Sequence, residues 1–176
     1  MKKFLLMLTA GALLVACGDK KKEADEKNAA SVTVTMPYPA AYSASFGLGN
    51  PAYATMVVQG SWKDWETNNL DNMKNWVADT VVVFHSDNVM AKGLDSLMAR
   101  WKRGRAGYTT VIDSIDAVMP VYSTDKKENW VLVWAREINT DTKGKTDTSA
   151  IMETWRINKD GKADMLLQYD RATRKK

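Results

Sequence analysis

Hydrophobic positions follow a helical period in three stretches between residues 51 and 105. The first stretch, at about residues 51–67, begins at Asn50-Pro51, where asparagine can cap a helix and proline fits its first turn. Apolar residues three and four positions apart predict three amphipathic helices, each with one buried face. The predicted buried positions are Ala54, Val57, Val58, Ser61, Trp62 and Trp65, then Leu70, Met73, Trp76 and Val77, and then Leu94, Leu97, Met98 and Trp101 after Gly93.

The remaining pattern is that of β-strands. Residues 80–85, Thr-Val-Val-Val-Phe-His, are β-branched and aromatic, which is typical of a strand. Four more strands are predicted at 109–119, 130–138, 150–158 and 163–171, separated by polar turns, with a long hairpin tip at 139–148. Helices therefore come first and an antiparallel meander follows, which predicts an α+β domain with three N-terminal helices packed on one face of a curved sheet.

The N-terminus has the pattern of a signal peptide. Lys2 and Lys3 precede an apolar run that ends at Ala16 and is too short to span a membrane. The sequence Leu14-Val15-Ala16-Cys17 resembles the lipobox of bacterial lipoproteins. That resemblance implies cleavage before Cys17 and attachment of acyl chains, palmitate among them, to this residue. Two or three chains would anchor the protein stably.

Three further segments follow the predicted signal peptide (1–16). Residues 17–35 comprise the lipidated cysteine and a charged, polar stretch that is typical of a disordered tether. Residues 36–50 predict an extended lead-in, and residues 51–176 predict one domain. Gly18, rather than aspartate, follows Cys17, which favours the outer membrane of the cell envelope; the periplasmic and surface faces both stay open.

Charge and composition exclude several classes of function. The net charge of +4 includes Lys2 and Lys3, so the predicted mature chain is nearly balanced and nucleic-acid binding is not expected. The chain has one histidine and one cysteine, so a zinc site in the domain is not expected. Without a phosphate-binding glycine loop or a GxSxG motif, no cofactor and no metal is predicted.

The order of these elements resembles the NTF2-like superfamily, which includes SnoaL-like polyketide cyclases and ketosteroid isomerase. The residues that carry the resemblance are the Trp-rich end of the first helix (62–71), Trp-Val-Ala-Asp (76–79), Lys-Gly-Leu-Asp (92–95), Glu-Thr-Trp-Arg-Ile (153–157) and Asp-Gly-Lys (160–162). The resemblance implies a cone in which a bent sheet wraps the first helix and leaves a pocket at the open end. It also implies possible dimerisation through the sheet.

Three residues are candidates for acid–base catalysis in this cone. His85 ends the first predicted strand, where it is either a base or a strand-end residue satisfied by Ser86 or Asp87. Asp113 is in phase with the apolar Val111, Ile115, Ala117 and Met119, so it either has a raised pKa in an apolar site or turns outward at a bulge. Glu153 is in phase with Ile151, Trp155 and Ile157, and either faces the cavity or pairs with Arg136 or Arg156.

All seven tryptophans lie in the predicted domain. Large aromatic side chains either fill the cone or line an open mouth that suits a flat apolar ligand or a sugar. The residues predicted to line a pocket are Trp62, Trp65, Trp101, Trp134, Trp155, Gln168 and Tyr169.

Three functions are compatible with these patterns, because one fold serves many functions. The first is a lipid-anchored envelope protein whose domain binds a small apolar ligand or a protein partner without catalysis. The second is a SnoaL-like isomerase, cyclase or hydratase that uses one of the three acid–base residues. The third is a structural module of an envelope assembly that uses the convex sheet as its interface. A buried, unpaired carboxylate at a cavity would favour the second.

Overall fold

The computed structural model describes residues 36–172. The predicted signal peptide, the lipidated Cys17 and the tether lie outside the described residues. Within residues 36–172 no helix is long and apolar enough to cross a membrane.

The first helix, α1, runs from Pro51 to Glu66 and changes its geometry in the middle. Pro51–Val57 is α-helical, Val58–Lys63 is a π-helix and Asp64–Glu66 is again α-helical. As the sequence predicts, Asn50 caps the helix, and its side-chain oxygen accepts a hydrogen bond from Ala52 N at 2.9 Å. The π-helical segment is where Gly60 packs against Trp76: a Cβ at residue 60 would overlap the Trp76 indole ring.

Two shorter helical elements follow. The second, α2, consists of a 3-10 turn at Leu70–Asn72 and one α-helical turn at Met73–Trp76. The third, α3, spans Leu94–Arg105 and buries Leu94, Leu97, Met98 and Trp101, which are the residues that its pattern predicts.

Seven strands form one sheet. They are β1 (Phe46–Leu48), β2 (Val77–Phe84), β3 (Met90–Lys92), β4 (Tyr108–Ser123), β5 (Glu128–Asp141), β6 (Thr146–Ile157) and β7 (Ala163–Ala172), in the spatial order β1-β4-β5-β6-β7-β2-β3. All neighbours are antiparallel except β2 and β7, which are parallel. The predicted α+β class is confirmed, but the sheet is mixed rather than antiparallel, because the chain crosses over from β2 through α3 and the meander before β7 returns beside it.

The helices and strands also interleave more than the sequence predicts. Strand β1 precedes all helices, and β2 and β3 separate α2 from α3, so the arrangement is not three helices followed by a sheet. Strand β4 continues through Pro120 to Ser123 instead of ending there. Its partner β1 begins to pair only at Val121, so the missing N–H of Pro120 breaks no ladder. The lead-in contributes β1, and Tyr42 packs edge-on against Trp130 at 5.9 Å between ring centroids.

The sheet has one face that packs on the helices and one that does not. Strand β5 alternates between the two: Val131, Val133, Ala135, Glu137 and Asn139 are buried against the helical side. The core between the helices and the sheet contains Trp76, Trp101 and Trp155. The Trp155 ring meets those of Trp76 and Trp101 edge to face, at 5.0 and 6.2 Å between ring centroids. This aromatic cluster forms part of the core on the concave side, and Trp101 connects it to a cavity.

Candidate functional site

A cavity of about 510 Å³ opens between the C-terminal halves of α1 and α3 and the concave face of the sheet. Residues from β4, β5, β6 and β7, together with His85 and Ser86 directly after β2, form its sheet side. Its lining includes Ser61, Trp62, Trp65, His85, Ser86, Arg100, Trp101, Arg103, Gly104, Tyr108, Glu137, Asn139, Ser149, Ile151, Gln168 and Asp170. This volume is within the range of small-molecule sites.

The predicted pocket tryptophans divide into two groups. Trp62, Trp65 and Trp101 line the cavity, and Trp65 and Trp101 stack edge to face at 5.8 Å. Trp155 is fully buried and lies in the core, outside the lining. Trp134 does not line the cavity, because it pairs with Ala117 and Met152 on the opposite face of the sheet from Val133 and Ala135.

Strand β7 places Gln168 and Tyr169, both predicted to line the pocket, on opposite faces of the sheet. Gln168 points inward and lines the cavity, whereas Tyr169 is 59% exposed and lines a smaller cavity of about 360 Å³ beside the end of β2. His85, Ser86, Gln168 and Asp170 line both cavities. Tyr169 therefore lies outside the concave pocket, because adjacent residues of a strand point to opposite faces.

Glu153 lies at the centre of a buried hydrogen-bond network. Its carboxylate accepts hydrogen bonds from Ser61 Oγ at 2.8 Å, Trp155 Nε1 at 2.9 Å and Gln168 Nε2 at 3.0 Å. Burial raises the pKa of Glu153, and these three donors oppose the increase. Neither predicted arginine partner reaches it: Arg136 pairs with Asp116, and Arg156 pairs with Asp164 and Glu128. Glu153 does not line the cavity, so it acts on the cavity through Gln168.

His85 is 7% exposed and lies where the two cavities meet. Its Nδ1 is 3.5 Å from Gln168 Oε1, and among the described residues Nε2 has no hydrogen-bond partner. Burial lowers the pKa of His85, and the nearby Arg100 guanidinium lowers it further. The imidazole is therefore neutral at neutral pH, with one nitrogen free to interact with a ligand.

Asp113 and Glu137 form a buried pair of carboxyl groups. They are directly opposite each other on β4 and β5, which places cross-strand Cβ atoms about 5 Å apart. Neither carboxyl oxygen of Asp113 has a hydrogen-bond partner among the described residues. Burial and the negative charge of Glu137 raise the pKa of Asp113 to about 8. At neutral pH the pair therefore holds one proton on Asp113.

Glu137 is the member of the pair that lines the cavity. Burial raises its pKa as well, whereas the Asn139 amide, which donates a hydrogen bond at 2.5 Å, and the charge of Arg105 lower it. Glu137 therefore has a raised pKa and, unlike Asp113, hydrogen-bonding and cationic neighbours that favour its ionised form. A carboxyl group with a raised pKa at a cavity wall can accept and return a proton.

A bulge in β4 directs Asp113 inward. The pairing with β5 shifts between Ile115 and Ala117. Residues before the shift, Val111, Asp113 and Ile115, lie on the concave side, whereas Ala117 and Met119 pair with convex residues of β5. The predicted period of two therefore holds only as far as Ile115, and the bulge that was expected to turn Asp113 outward turns its downstream neighbours instead.

Sequence reasoning missed Glu137, Asn139 and Ser61 as site residues. The signal for Glu137 was present, because it is in phase with Val131, Val133 and Ala135 on a predicted strand. Asn139 was placed in a hairpin tip, but β5 continues to Asp141 and the tip comprises only residues 142–145. Ser61 had no signal of its own beyond its place on the buried stripe of α1.

Arg105, at the end of α3, is buried and connects α3 to the end of α1 and the start of β4. Its guanidinium donates to the carbonyl oxygens of Trp65, Tyr108 and Glu66 at 2.8, 2.9 and 3.1 Å. This buried cation ties the end of α1 to the start of β4, beside the Asp113–Glu137 pair. In residues 36–172 no group of three or more His, Cys, Asp or Glu side chains is arranged to hold a metal ion.

Comparisons with known proteins place this geometry in a known fold. No protein-family model matches the sequence, and no curated protein matches it. An LEH-like epoxide hydrolase from M. tuberculosis is similar, with a TM-score of 0.55 and 12% identity over 68% of this chain and 84% of that one. A Δ5-3-ketosteroid isomerase from Mycobacterium sp. has a TM-score of 0.54 and 16% identity over 69% and 98%.

An NTF2-like protein of unknown function from Burkholderia pseudomallei is equally similar, with a TM-score of 0.55 and 16% identity over 68% of this chain and 91% of that one. Such low identities show the fold and not the activity. The described chain has the α+β fold of the NTF2-like proteins, with a curved seven-stranded sheet around a cavity.

Proposed function

We propose that the cavity binds a small, largely apolar organic molecule and that Glu137, with Asp113 behind it, transfers a proton to or from that molecule. The observation that carries the proposal is the buried Asp113–Glu137 pair, one member of which lines the cavity while the other has no hydrogen-bond partner among the described residues. Keeping two carboxyl groups together in a low-dielectric site is costly for stability, and such pairs are concentrated at functional sites.

The roles within the pair follow from their surroundings. Ionised Glu137 is the group that contacts the ligand and accepts a proton, which it returns to another atom of the same molecule. Asp113 is a positioning residue: it retains its proton beside Glu137, and its charge state tunes the basicity of that carboxylate. The class of reaction is thus an isomerisation or a cyclisation, in which the proton leaves and returns to the ligand. In a hydration, Glu137 would instead take the proton from a water molecule whose hydroxyl adds to the ligand, and would return that proton to the ligand.

Turnover of a Δ5-3-ketosteroid, the substrate type named for one similar structure, tests the proposal directly. We expect Glu137→Gln to reduce kcat at least about 100-fold. The matched control is Asp116→Asn, because Asp116 is on the neighbouring strand β4 but is exposed and paired with Arg136. If a panel of enolisable ketones and epoxides shows no turnover that depends on Glu137, the catalytic proposal is wrong.

Binding without catalysis is the second candidate, and the aromatic lining favours it. Trp62, Trp65 and Trp101 offer flat apolar surfaces, and the buried Trp62 Nε1 has no partner among the described residues. Titration with small hydrophobic compounds should quench tryptophan fluorescence saturably, and Trp65→Ala should abolish the effect. Saturable binding together with unchanged ligand in the presence of the wild-type protein would support this candidate over the first.

We also propose that the protein acts at a membrane surface through lipidated Cys17, in the outer membrane. The support is the lipobox-like sequence, whose residues lie outside the described part of the chain. Metabolic labelling with palmitate should mark the wild-type protein and not Cys17→Ser. Unlabelled wild-type protein in a lipoprotein-competent bacterium would contradict the proposal.

The convex side of the sheet supports a proposal of self-association. Ile112 and Ile138 are directly opposite each other on β4 and β5 and are 51 and 38% exposed; Met119, further along β4, is 40% exposed. Exposed apolar side chains that lie together are typical of interfaces. The molar mass in solution should be that of a dimer, and Ile138→Lys should make it monomeric. A wild-type monomer at high concentration would refute this arrangement.

A further inference from the structure

The orientation of the Gln168 amide determines which nitrogen of His85 is protonated. Glu153 accepts hydrogen bonds at both oxygens, and the one at Oε1 comes from Gln168 Nε2 at 3.0 Å. The amide NH₂ of Gln168 is therefore turned towards Glu153, and its carbonyl oxygen is turned towards His85 Nδ1 at 3.5 Å. A carbonyl can only accept, so this contact, which is long for a hydrogen bond, favours the tautomer with the hydrogen on Nδ1. His85 Nε2 then presents a lone pair.

The lone pair on His85 Nε2 is buried and accepts no hydrogen bond from the described residues. His85 is 7% exposed, and among the described residues no donor reaches Nε2. A buried acceptor without a donor is destabilising, so such a group in a folded protein is often part of a ligand site. The His85 side chain lines both the concave cavity and the smaller cavity near Tyr169, so Nε2 lies directly behind the wall that the two cavities share.

The charges around His85 select the kind of donor. Arg100 lines the same cavity and forms an ion pair with Asp87 at 2.5 Å. Burial of the ring and the charge of Arg100 lower the pKa of His85, whereas Gln168 and the Asp87 carboxylate oppose them. The imidazole is therefore neutral, and a neutral donor suits it. The aromatic lining adds a preference for an apolar body. A neutral hydroxyl on an aromatic or alicyclic molecule satisfies all of these conditions.

We propose that His85 Nε2 accepts a hydrogen bond from a hydroxyl group of the cavity's ligand, and that Glu153 and Gln168 are positioning residues that keep Nε2 unprotonated. Glu137 is on β5, three strand positions from β2, or roughly 14 Å across the sheet. A ligand that contacts both groups would carry its hydroxyl at the end remote from the proton-transfer site. The inference rests on the proposed function only in requiring that the cavity holds a small organic molecule.

The positioning claim can be tested without a ligand, because His85 is the only histidine in the chain. Nitrogen-15 NMR of the full chain labelled in histidine should show the Nδ1–H tautomer. In Glu153→Gln, the new amide NH₂ faces Gln168, so the Gln168 amide should turn over and present its NH₂ to Nδ1, moving the proton to Nε2. The matched control is Ser61→Ala, which removes one donor to Glu153 but leaves the Gln168 contact, and should retain Nδ1–H.

Three results would overturn the positioning claim: an Nε2–H tautomer in the wild type, no change of tautomer in folded Glu153→Gln, or a change in Ser61→Ala. Should Glu153→Gln fail to fold, Gln168→Met provides the second variant. It removes the carbonyl that faces Nδ1 at similar side-chain volume, and should yield a mixture of both tautomers. A pure Nδ1–H tautomer in Gln168→Met would count against the role of Gln168.

The ligand claim uses a matched pair of probes, 2-naphthol and 2-methoxynaphthalene, on the wild-type protein. Addition of 2-naphthol should shift the Nε2 resonance with saturation, and the methyl ether, which cannot donate, should bind at least about tenfold more weakly. Equal affinities, or no shift with 2-naphthol, would overturn it. These readouts do not depend on turnover, so the proposed proton transfer can fail while the role of His85 stands, and the reverse also holds.

Discussion

Replacing Asp113 by asparagine should make the protein more stable at neutral and alkaline pH. Asparagine has nearly the same shape as aspartate but no charge, so it removes the like-charge contact with Glu137 and the cost of burying an ionised group. In the wild type, burial raises the pKa of Asp113 from 3.8 to about 8 in the folded protein. The variant therefore removes the effect of Asp113 protonation on the free energy of unfolding, while the packing on β4 is preserved.

The direction of the pH dependence follows from linkage. As the pH rises above about 4, the unfolded chain releases the Asp113 proton while the folded protein retains it, so unfolding becomes progressively more favourable. The stabilisation is complete below the unfolded pKa of 3.8 and is lost as the pH rises to about 8. Between these limits the free energy of unfolding of the wild type should fall with pH relative to the variant.

The size of the effect can be bounded. A difference between 3.8 and about 8 corresponds to at most about 5 to 6 kcal/mol, since one pKa unit equals 1.36 kcal/mol. Asp113 is only partly buried, and solvent screening reduces such values by half or more. We therefore expect the free energy of unfolding of Asp113→Asn, relative to that of the wild type, to rise by about 2 kcal/mol between pH 5 and pH 8.5.

Urea unfolding followed by tryptophan fluorescence at half-unit pH steps measures this difference. The matched control is Asp116→Asn, an exposed aspartate three residues along the same strand, whose curve should run parallel to that of the wild type. If Asp113→Asn also runs parallel to the wild type across this range, Asp113 does not keep its proton in the fold. The assignment of a proton-sharing pair would then be wrong.

Four other substitutions test the packing around the cavity. Gly60→Ala should lower the free energy of unfolding by about 2 kcal/mol or more, because the new Cβ overlaps the Trp76 ring. Gly104→Ala, whose nearest contact is at 3.5 Å, should be neutral or slightly stabilising. Equal effects of the two substitutions would refute the close approach at Gly60. Arg105→Lys should lower the free energy of unfolding by about 1 to 3 kcal/mol, since an ammonium group cannot reach all three carbonyl oxygens that Arg105 contacts. Arg136→Ala breaks an exposed ion pair with Asp116, and urea midpoints should show no measurable change. A larger loss for Arg136→Ala than for Arg105→Lys would contradict the burial argument.

The helices could be predicted well from local information. The stripe on α3 and the Asn50 cap on α1 appear in the structure as the sequence predicts, because helical contacts join residues three and four apart. The parallel pairing of β2 with β7 could not be predicted, since it joins strands separated by some 80 residues of chain and depends on how the meander curves. The length of β5 was underestimated because polar residues at its end, such as Asn139, face a cavity rather than solvent.

The candidate site likewise combines features that local patterns predict with features that only tertiary contacts determine. Period-two alternation identified Asp113 and Glu153 as candidates for the concave side but left an outward orientation open for both, and only the strand register pairs Glu153 with Gln168. It did not reveal that Asp113 lies opposite Glu137, because cross-strand register depends on a bulge at Ile115 that carries no local sequence signal. The neutral state of His85 likewise depends on Arg100 and on burial, which only the packing of α3 against β2 supplies.

The sequence by itself determined the α+β class, the amphipathic helices and the apolar, tryptophan-rich interior, since each depends on periodicity along the chain. The tertiary structure alone decided which tryptophans fill the core and which line the cavity, and which carboxyl groups meet there. Those outcomes depend on contacts between residues far apart in the sequence. Burial and neighbouring charge, which set the pKa values of Asp113, Glu137 and His85, arise only when those contacts form.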